Sequence, residues 1–479
     1  MSIPGPGGQG LQLTPFRGLR YVPERVGSLA AVTSPPYDVV VRPEGLRELE
    51  TADPYNIVRL ILPQAGTPEA RNRQAAETLR RWQADGVLAP DPEPALYVYE
   101  QRDGPTLQRG LIGALRLSPR EEGIVLPHEE VMPHVVEDRA DLMRATAAHL
   151  EPLLLAYRGN GNGTSGQGAA GQGAAGLGAA ENGASGNGAA EQGTGGAARV
   201  IERTILREPL LSTTTEDGVD HHLWRVTNPA DLVEVSTDLR HHQALIADGH
   251  HRWATYLRLR EERREPGPWD FGLVLLVDTT RYPLRVRAIH RLLRRLSPDQ
   301  ALPEVRRAFR VRTVDGPLPR ALETLAEAAE AARAEATEAA HAEATEAAHA
   351  EPGAPNAFLL AGDGRFHLLD RPDPELLART IPDGRPEAWR TLDATVLHHT
   401  LLDHLWNVPD TPEHIGYLHD SAAAVEQAER LGGTAVLMHP VREDVVHELA
   451  RQGIAMPHKS TSFGPKPATG LVLRSLTLG

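Results

Sequence analysis

The stretch Ala244-Leu-Ile-Ala-Asp-Gly-His-His-Arg-Trp-Ala-Thr-Tyr-Leu-Arg-Leu-Arg260 decides how this chain is read. Its apolar start predicts a strand ending near Asp248. Gly249 then supplies a tight turn, and the spacing from His250 onward is helical. A helix N-terminus presents unpaired backbone N–H groups and the positive end of the helix dipole, so it attracts anions. Two imidazoles and a guanidinium at that point predict a phosphate or carboxylate cradle built from Asp248, Gly249, His250, His251 and Arg252. Arg252 is expected to grip the anion bidentately. A plain Asp-Gly turn before a solvated helix explains the first two residues equally well. It does not explain His-His-Arg at the end of a helix where the dipole disfavours cations.

Outward from this turn, alternating elements predict a mixed α/β architecture with many antiparallel strands. Leu96–Tyr99 and Leu111–Leu117 flank Asp103-Gly104 as a hairpin. Residues 139–157 carry an apolar helical face through Leu142, Met143, Leu150, Leu153 and Leu154. Phe271–Asp278 and Tyr282–Ile289 read as adjacent strands, and Ala357–Leu360 with Phe366–Leu369 as a second hairpin. Helices are expected over Val396–Leu405, Ser421–Leu431 and Val445–Arg451, with a strand at Thr434–Met438. Two low-complexity segments interrupt this order. From Gly159 to about Ala197 the chain is nearly all Gly, Ala, Asn, Gln and Ser, which predicts a flexible insertion. From about Leu325 to Ala350 an eight-residue unit recurs, as in Arg333-Ala-Glu-Ala-Thr-Glu-Ala-Ala340. Without a large apolar face, it is expected to form an exposed or fraying helix. Neither segment is expected to carry chemistry.

The 479 residues exceed one typical core and predict two or three domains. A net charge of −14 disfavours general nucleic-acid binding. The absence of cysteine excludes disulfides, thiolate catalysis and Cys-ligated metal. With neither a signal-like N-terminus nor an apolar run of membrane length, the chain reads as cytoplasmic and free of membrane.

Further landmarks are Thr14-Pro-Phe-Arg-Gly-Leu-Arg-Tyr21, Ser34-Pro-Pro-Tyr-Asp-Val39, Pro54-Tyr-Asn-Ile-Val-Arg-Leu60, Leu96-Tyr-Val-Tyr-Glu100 and Leu126-Pro-His-Glu129. Asp138-Arg139 with Leu142, His290-Arg-Leu292, Met456-Pro-His-Lys-Ser-Thr461 and Pro465-Lys466 complete the set. Together with Asp-Gly-His-His-Arg, they resemble domain-of-unknown-function family 1015 over nearly the whole chain outside the two inserts. His134, Val135 and Gly464 depart from its pattern. The Asp-Gly-His-His-Arg motif is also similar to the phosphate-binding motif of the ParB-like superfamily. That group includes chromosome-partitioning nucleotide hydrolases, sulfiredoxin and kinases of free serine. The resemblance implies a ParB-like core with an additional mixed-sheet domain and nucleotide phosphates at the turn. The implied organisation is an N-terminal mixed region (1–158), a disordered insertion (159–198), a ParB-like region (199–320), an Ala/Glu-rich insertion (321–355) and a C-terminal α/β region (356–479).

Only two lysines occur among 50 basic residues, Lys459 and Lys466, and they lie within eight residues of each other. An ammonium is not interchangeable with a planar guanidinium. Lys459-Ser460-Thr461, with Lys466, therefore predicts a second phosphate-contacting loop, against the plainer reading of a polar loop that kept its lysines by chance. If that loop lies beside the turn, one ligand touches both. Ser34-Pro35-Pro36-Tyr37 holds Asp38 on a stiff approach, where it could orient a hydroxyl. An Asx turn explains it equally well. Glu129, beside His128, is a second candidate base, and His250 a third. Arg291 is a candidate for neutralising phosphate charge. The spacing of His128, Glu129 and His134, and of His398, His399 and His404, fits no helical metal site, and no metal is assigned to protein ligands.

The expected function is phosphotransfer from ADP, ATP or pyrophosphate, with Mg²⁺ arriving with the nucleotide, to a small hydroxyl metabolite such as free serine. The alternatives are a non-catalytic, nucleotide-responsive regulatory protein and, third, ParB-type DNA partitioning. Oligomeric state is left open.

Overall fold

The computed structural model describes residues 10–36, 43–159, 195–263, 265–344 and 356–478. The fold is mixed α/β, and the chain divides into two compact units. The first comprises 1–125, 133–283 and 466–479, and the second 126–132 and 284–465.

The first unit is built on one mixed sheet. Its strands are β1 (Leu13–Thr14), β2 (Leu96–Asp103), β3 (Thr106–Arg116), β4 (Val125–Leu126), β5 (Leu153–Tyr157), β6 (Leu211–Thr214), β7 (Asp220–Val226), β8 (Ala244–Asp248) and β9 (Phe271–Asp278). They run β4-β8-β5-β9-β3-β2-β7-β6, with β1 added on β3. The expected β2–β3 hairpin is present, pairing Val98 with Leu111. β9 pairs antiparallel with β3 and parallel with β5, Val274 lying opposite Leu153. β5, β8 and β9 are almost wholly buried, which accounts for their unbroken apolar sequences. Helix α1 (Pro133–Thr146) packs with α4 (His250–Glu261), and α2 (Gly196–Thr204) with α3 (Pro229–Leu239). Trp253, Tyr256 and Leu259 recur on one face of α4 and are buried in the same core as Leu155 and Leu276.

Several expectations change here. The helix predicted over 139–157 stops at Thr146, with Ala147 at φ 46, and residues 153–157 form β5. Pro152 cannot continue a helix, and a short apolar run looks the same to helix and buried-strand periodicity. Of the 159–198 insertion, residues 160–194 lie outside the described residues. Its last part is core, because Gly196, Ala197 and Ala198 begin α2 and are buried.

The second unit carries β10 (His290–Leu293), β11 (Arg310–Val314), β12 (Ala357–Ala361), β13 (Phe366–Asp370), β14 (Ile415–Leu418) and β15 (Thr434–Met438), ordered β11-β13-β12-β15-β10-β14. The predicted β12–β13 hairpin forms. Helix α5 (Leu318–Ala344) buries Ala321, Leu325 and Ala329 in this unit's core, so the first part of the 321–355 segment is structural. Small alanines at helical spacing let a helix sit close to a sheet, which the search for large apolar faces overlooked. α6 (Ser421–Leu431) and α7 (Glu443–Arg451) match expectation, and the helix expected over Val396–Leu405 is wound as a π-helix from Leu397. Arg285–Arg287 pairs with Ser462–Gly464 and not with β9. The units also cut across the expected divisions: 199–320 is split between Pro283 and Leu284, and 466–479 returns to the first unit. Pairing between strands distant in sequence sets these boundaries, and low-complexity segments do not mark them.

Four buried histidines are held neutral. Burial lowers His149 well below its ordinary value and brings His221 and His290 to about 4. Burial, followed by the neighbouring Arg291, takes His398 to about 3. Below about pH 6.5 the unfolded chain binds protons at these positions that the folded chain refuses. Their contribution to stability is therefore complete above pH 6.5 and is lost progressively as pH falls toward 4. Thermal unfolding at pH 7.5 and pH 5 should give a clearly lower midpoint at pH 5. A flat profile would place these imidazoles in contact with water.

Candidate functional site

The predicted strand–glycine–helix turn is present. β8 ends at Asp248, Gly249 adopts φ 99 and α4 begins at His250. A Cβ at Gly249 would lie 3.0 Å from Leu153 Cγ and 3.2 Å from Arg252 Nε, so both conformation and space call for glycine. Gly249, at the N-cap, has no side chain with which to cap α4. His250 is buried and His251 half-buried.

Asp248 is the centre of the turn. Lys466 Nζ lies 2.8 Å from Oδ1, and Arg252 Nη2 donates to Oδ2 at 2.7 Å. Burial by itself would raise this carboxyl, but Lys466 and Arg252 hold it well below the usual carboxylate range. Lys466 comes from the last segment of the first unit and meets the turn at Asp248.

Arg252 has a different role from the one expected. Its Nη1 reaches Glu151 Oε2 and the Pro152 carbonyl, both at 3.0 Å, while Nη2 serves Asp248. Its fork is occupied by two carboxylates and a backbone oxygen, so it fastens β8, the turn and the chain before β5 together. Glu151 went unnoticed in the sequence because it lay inside a stretch predicted to be helical.

The second unit contains the other candidates. Glu129 Oε1 accepts from the backbone N–H of Ser460 (3.0 Å), the N–H of Thr461 (2.9 Å) and the Thr461 hydroxyl (3.1 Å). His128 Nε2 lies 2.8 Å from the same hydroxyl, and Ser460 Oγ donates to the Pro457 carbonyl at 2.5 Å. Through Oε1, Glu129 clamps this loop. Arg291 is fully buried. It donates to the carbonyls of Ile289 (2.5 Å) and Lys459 (3.1 Å), touches His398 Nε2 (3.1 Å) and lies over the Tyr417 ring at 4.6 Å. Burial lowers its guanidinium to about 10. It supports the loop through the Lys459 carbonyl. Lys459 itself adopts φ 57. The loop is further held by Asp410, which accepts from Tyr417 (2.7 Å) and lies 3.0 Å from His458 Nε2. Only His458, within Met456-Pro-His-Lys, gave a sequence signal for this network.

Asp38 lies outside the described residues. Among the described residues, no group of three or more His, Asp or Glu side chains could hold a metal ion, and no helix is long and apolar enough to cross a membrane.

Replacing Arg252 by alanine would leave Glu151 buried without its cation and Asp248 with Lys466 alone. We expect a loss of about 2–4 kcal/mol of stability in chemical denaturation, more than a ligand-only role would cause. Parent-like stability would show that the carboxylates simply rehydrate.

Curated proteins contain no match to the chain. Among solved structures, it is similar to a free serine kinase variant in complex with AMP, at 13% identity and a TM-score of 0.35, covering 79% of this chain and 97% of that one. A conserved hypothetical protein from Pyrococcus furiosus matches at 13% identity and a TM-score of 0.32, with 74% and 94% covered. C-terminally truncated SbnI from Staphylococcus aureus matches at 10% identity and a TM-score of 0.30, with 76% and 88% covered. The family described as "Protein of unknown function (DUF1015)" matches residues 13–170 and 190–395, and the chain belongs to that family.

Proposed function

We propose that the first unit binds a phosphoanhydride, a nucleotide such as ADP or ATP or pyrophosphate, at the start of α4, and transfers a phosphoryl group to a small hydroxyl metabolite such as free serine. The observation carrying this reading is the glycine-led helix start with Lys466 drawn to Asp248 beside it. The Lys466 ammonium stands at the turn, 2.8 Å from Asp248, and a compact point charge on a flexible stem suits a phosphate oxygen. Backbone N–H groups at the first turn and the helix dipole add fixed positive potential. Asp248, kept ionised, orients the ammonium.

His250 is the remaining base candidate at the turn. As the acceptor oxygen bonds to phosphorus and the bridging P–O bond of the donor breaks, the hydroxyl proton passes to an imidazole nitrogen. The Lys459–Thr461 loop, with Lys459 in the left-handed region and clamped by Glu129 and Arg291, supports a second phosphate-contacting role within its own unit. Mg²⁺ would arrive with the nucleotide.

The purified chain should be stabilised thermally by one of ADP, ATP and pyrophosphate, and should form a phosphorylated product from serine detectable by mass spectrometry. Lys466→Ala should weaken ligand protection by about tenfold or more, since a charge-assisted contact is lost. Lys466→Arg should also bind less well, because a fork cannot copy a point donor at 2.8 Å from Asp248. Protection without product would favour a nucleotide-responsive regulator. No protection by any of the three would remove the turn as a phosphate site.

A further inference from the structure

Behind Arg252, the interior of the first unit encloses a small cavity. Leu142, Met143 and Leu150 give it apolar walls, and Glu151, Arg252 and Tyr256 give it polar ones. It offers about 20 Å³ to the centre of a water molecule. One water needs roughly 10–15 Å³ by that measure, so the space takes a single water and no metabolite. Wholly apolar cavities stay dry, whereas a cavity with polar groups to satisfy holds water.

Two of these side chains carry polar atoms that the protein itself leaves unmatched. Glu151 is 6% exposed and Tyr256 2% exposed. Glu151 Oε2 lies 3.0 Å from Arg252 Nη1, but its Oε1 is buried and has no hydrogen-bond partner among the described residues. The Tyr256 hydroxyl is buried and unmatched in the same way. Its ring stacks on His149 with centroids 4.0 Å apart, which fixes where the hydroxyl stands. Burial holds the phenol well above its ordinary range, and Arg252 and Glu151 are the nearest charges that act on it. The hydroxyl therefore keeps its proton and can donate, while a carboxylate oxygen accepts. Arg252 and Tyr256 are four residues apart, on one face of α4. Native interiors rarely leave a buried donor and a buried acceptor both unmet, because each would forfeit its bonds to water for nothing.

We propose that this cavity is a binding site for one internal water, which accepts a hydrogen bond from the Tyr256 hydroxyl and donates one to Glu151 Oε1. Glu151 then holds two successive turns of α4, Arg252 directly and Tyr256 through the water. The polar chain that begins at Asp248 and passes through Arg252 to Glu151 thus ends on the buried phenol. The site does not depend on what the turn at Asp248 binds.

A high-resolution crystal structure of the full chain and oxygen-17 magnetic relaxation in solution test this. The crystal should show a solvent oxygen at about 2.6–3.2 Å from both Glu151 Oε1 and the Tyr256 hydroxyl. Relaxation should report one fewer long-lived water in Tyr256→Phe than in the parent. This variant keeps the ring on His149 and is expected to fold. It should melt about 1–3 °C lower, because the water loses a partner and Glu151 Oε1 is left unmet. An unmatched hydroxyl predicts the opposite sign, since removing an unmet buried donor is neutral or stabilising. The proposal is overturned by a direct hydrogen bond between Tyr256 and Glu151 in the crystal, or by a cavity without solvent density. It is equally overturned if Tyr256→Phe keeps the parent's number of long-lived waters, or melts at or above the parent.

Discussion

The first unit depends on one carboxylate. Asp248 ends β8, and its two oxygens are divided between Lys466 and Arg252. Through Arg252 it is tied to Glu151 and the Pro152 carbonyl, just before β5. Through Lys466 it is tied to the final segment of the unit. Two strands and a returning tail thus meet at a side chain whose negative charge is held by its neighbours. A buried pair of this kind contributes little net stability over apolar packing, but losing one partner is costly. Its value is positional, because it sets where α4 starts and where the ammonium stands.

The second unit solves a similar problem with different chemistry. Its Met456–Thr461 loop lacks regular secondary structure over most of its length, and buried or half-buried side chains from other segments satisfy its backbone. Glu129 accepts from two of its N–H groups, while Arg291 donates to one of its carbonyls. A loop held at both donors and acceptors can keep Lys459 in a left-handed conformation that a free loop would abandon.

Much of this was legible in the sequence where local chemistry sets local structure. The strand, glycine and helix of residues 244–261 follow from an apolar run, a turn residue and helical spacing. Both hairpins follow from alternation around Gly-containing turns. What stayed hidden was pairing at a distance. Composition makes Arg252 and Arg291 look like ligand-binding cations, but Glu151, the Pro152 and Lys459 carbonyls and His398 claim them in the folded chain. The three donors that meet Glu129 Oε1 come from residues more than three hundred positions away, which no local pattern announces. α5 failed for another reason: alanines can form a core-facing stripe when a sheet lies close by, and a scan for large apolar side chains does not register them.

The route of the backbone has a consequence for how the protein is made. Lys466 and the strand Leu473–Ser475, which pairs with Gly18–Leu19 and with Ala148–His149, belong to the first unit although the second unit is synthesised before them. On the ribosome the nascent first unit therefore waits, with this edge open and Asp248 lacking its lysine, while about 180 further residues emerge. At ordinary translation rates that interval is on the order of ten seconds or longer. The second unit, which runs to Pro465, is synthesised in that interval, so the turn at Asp248 gains its lysine only after that whole segment has been made.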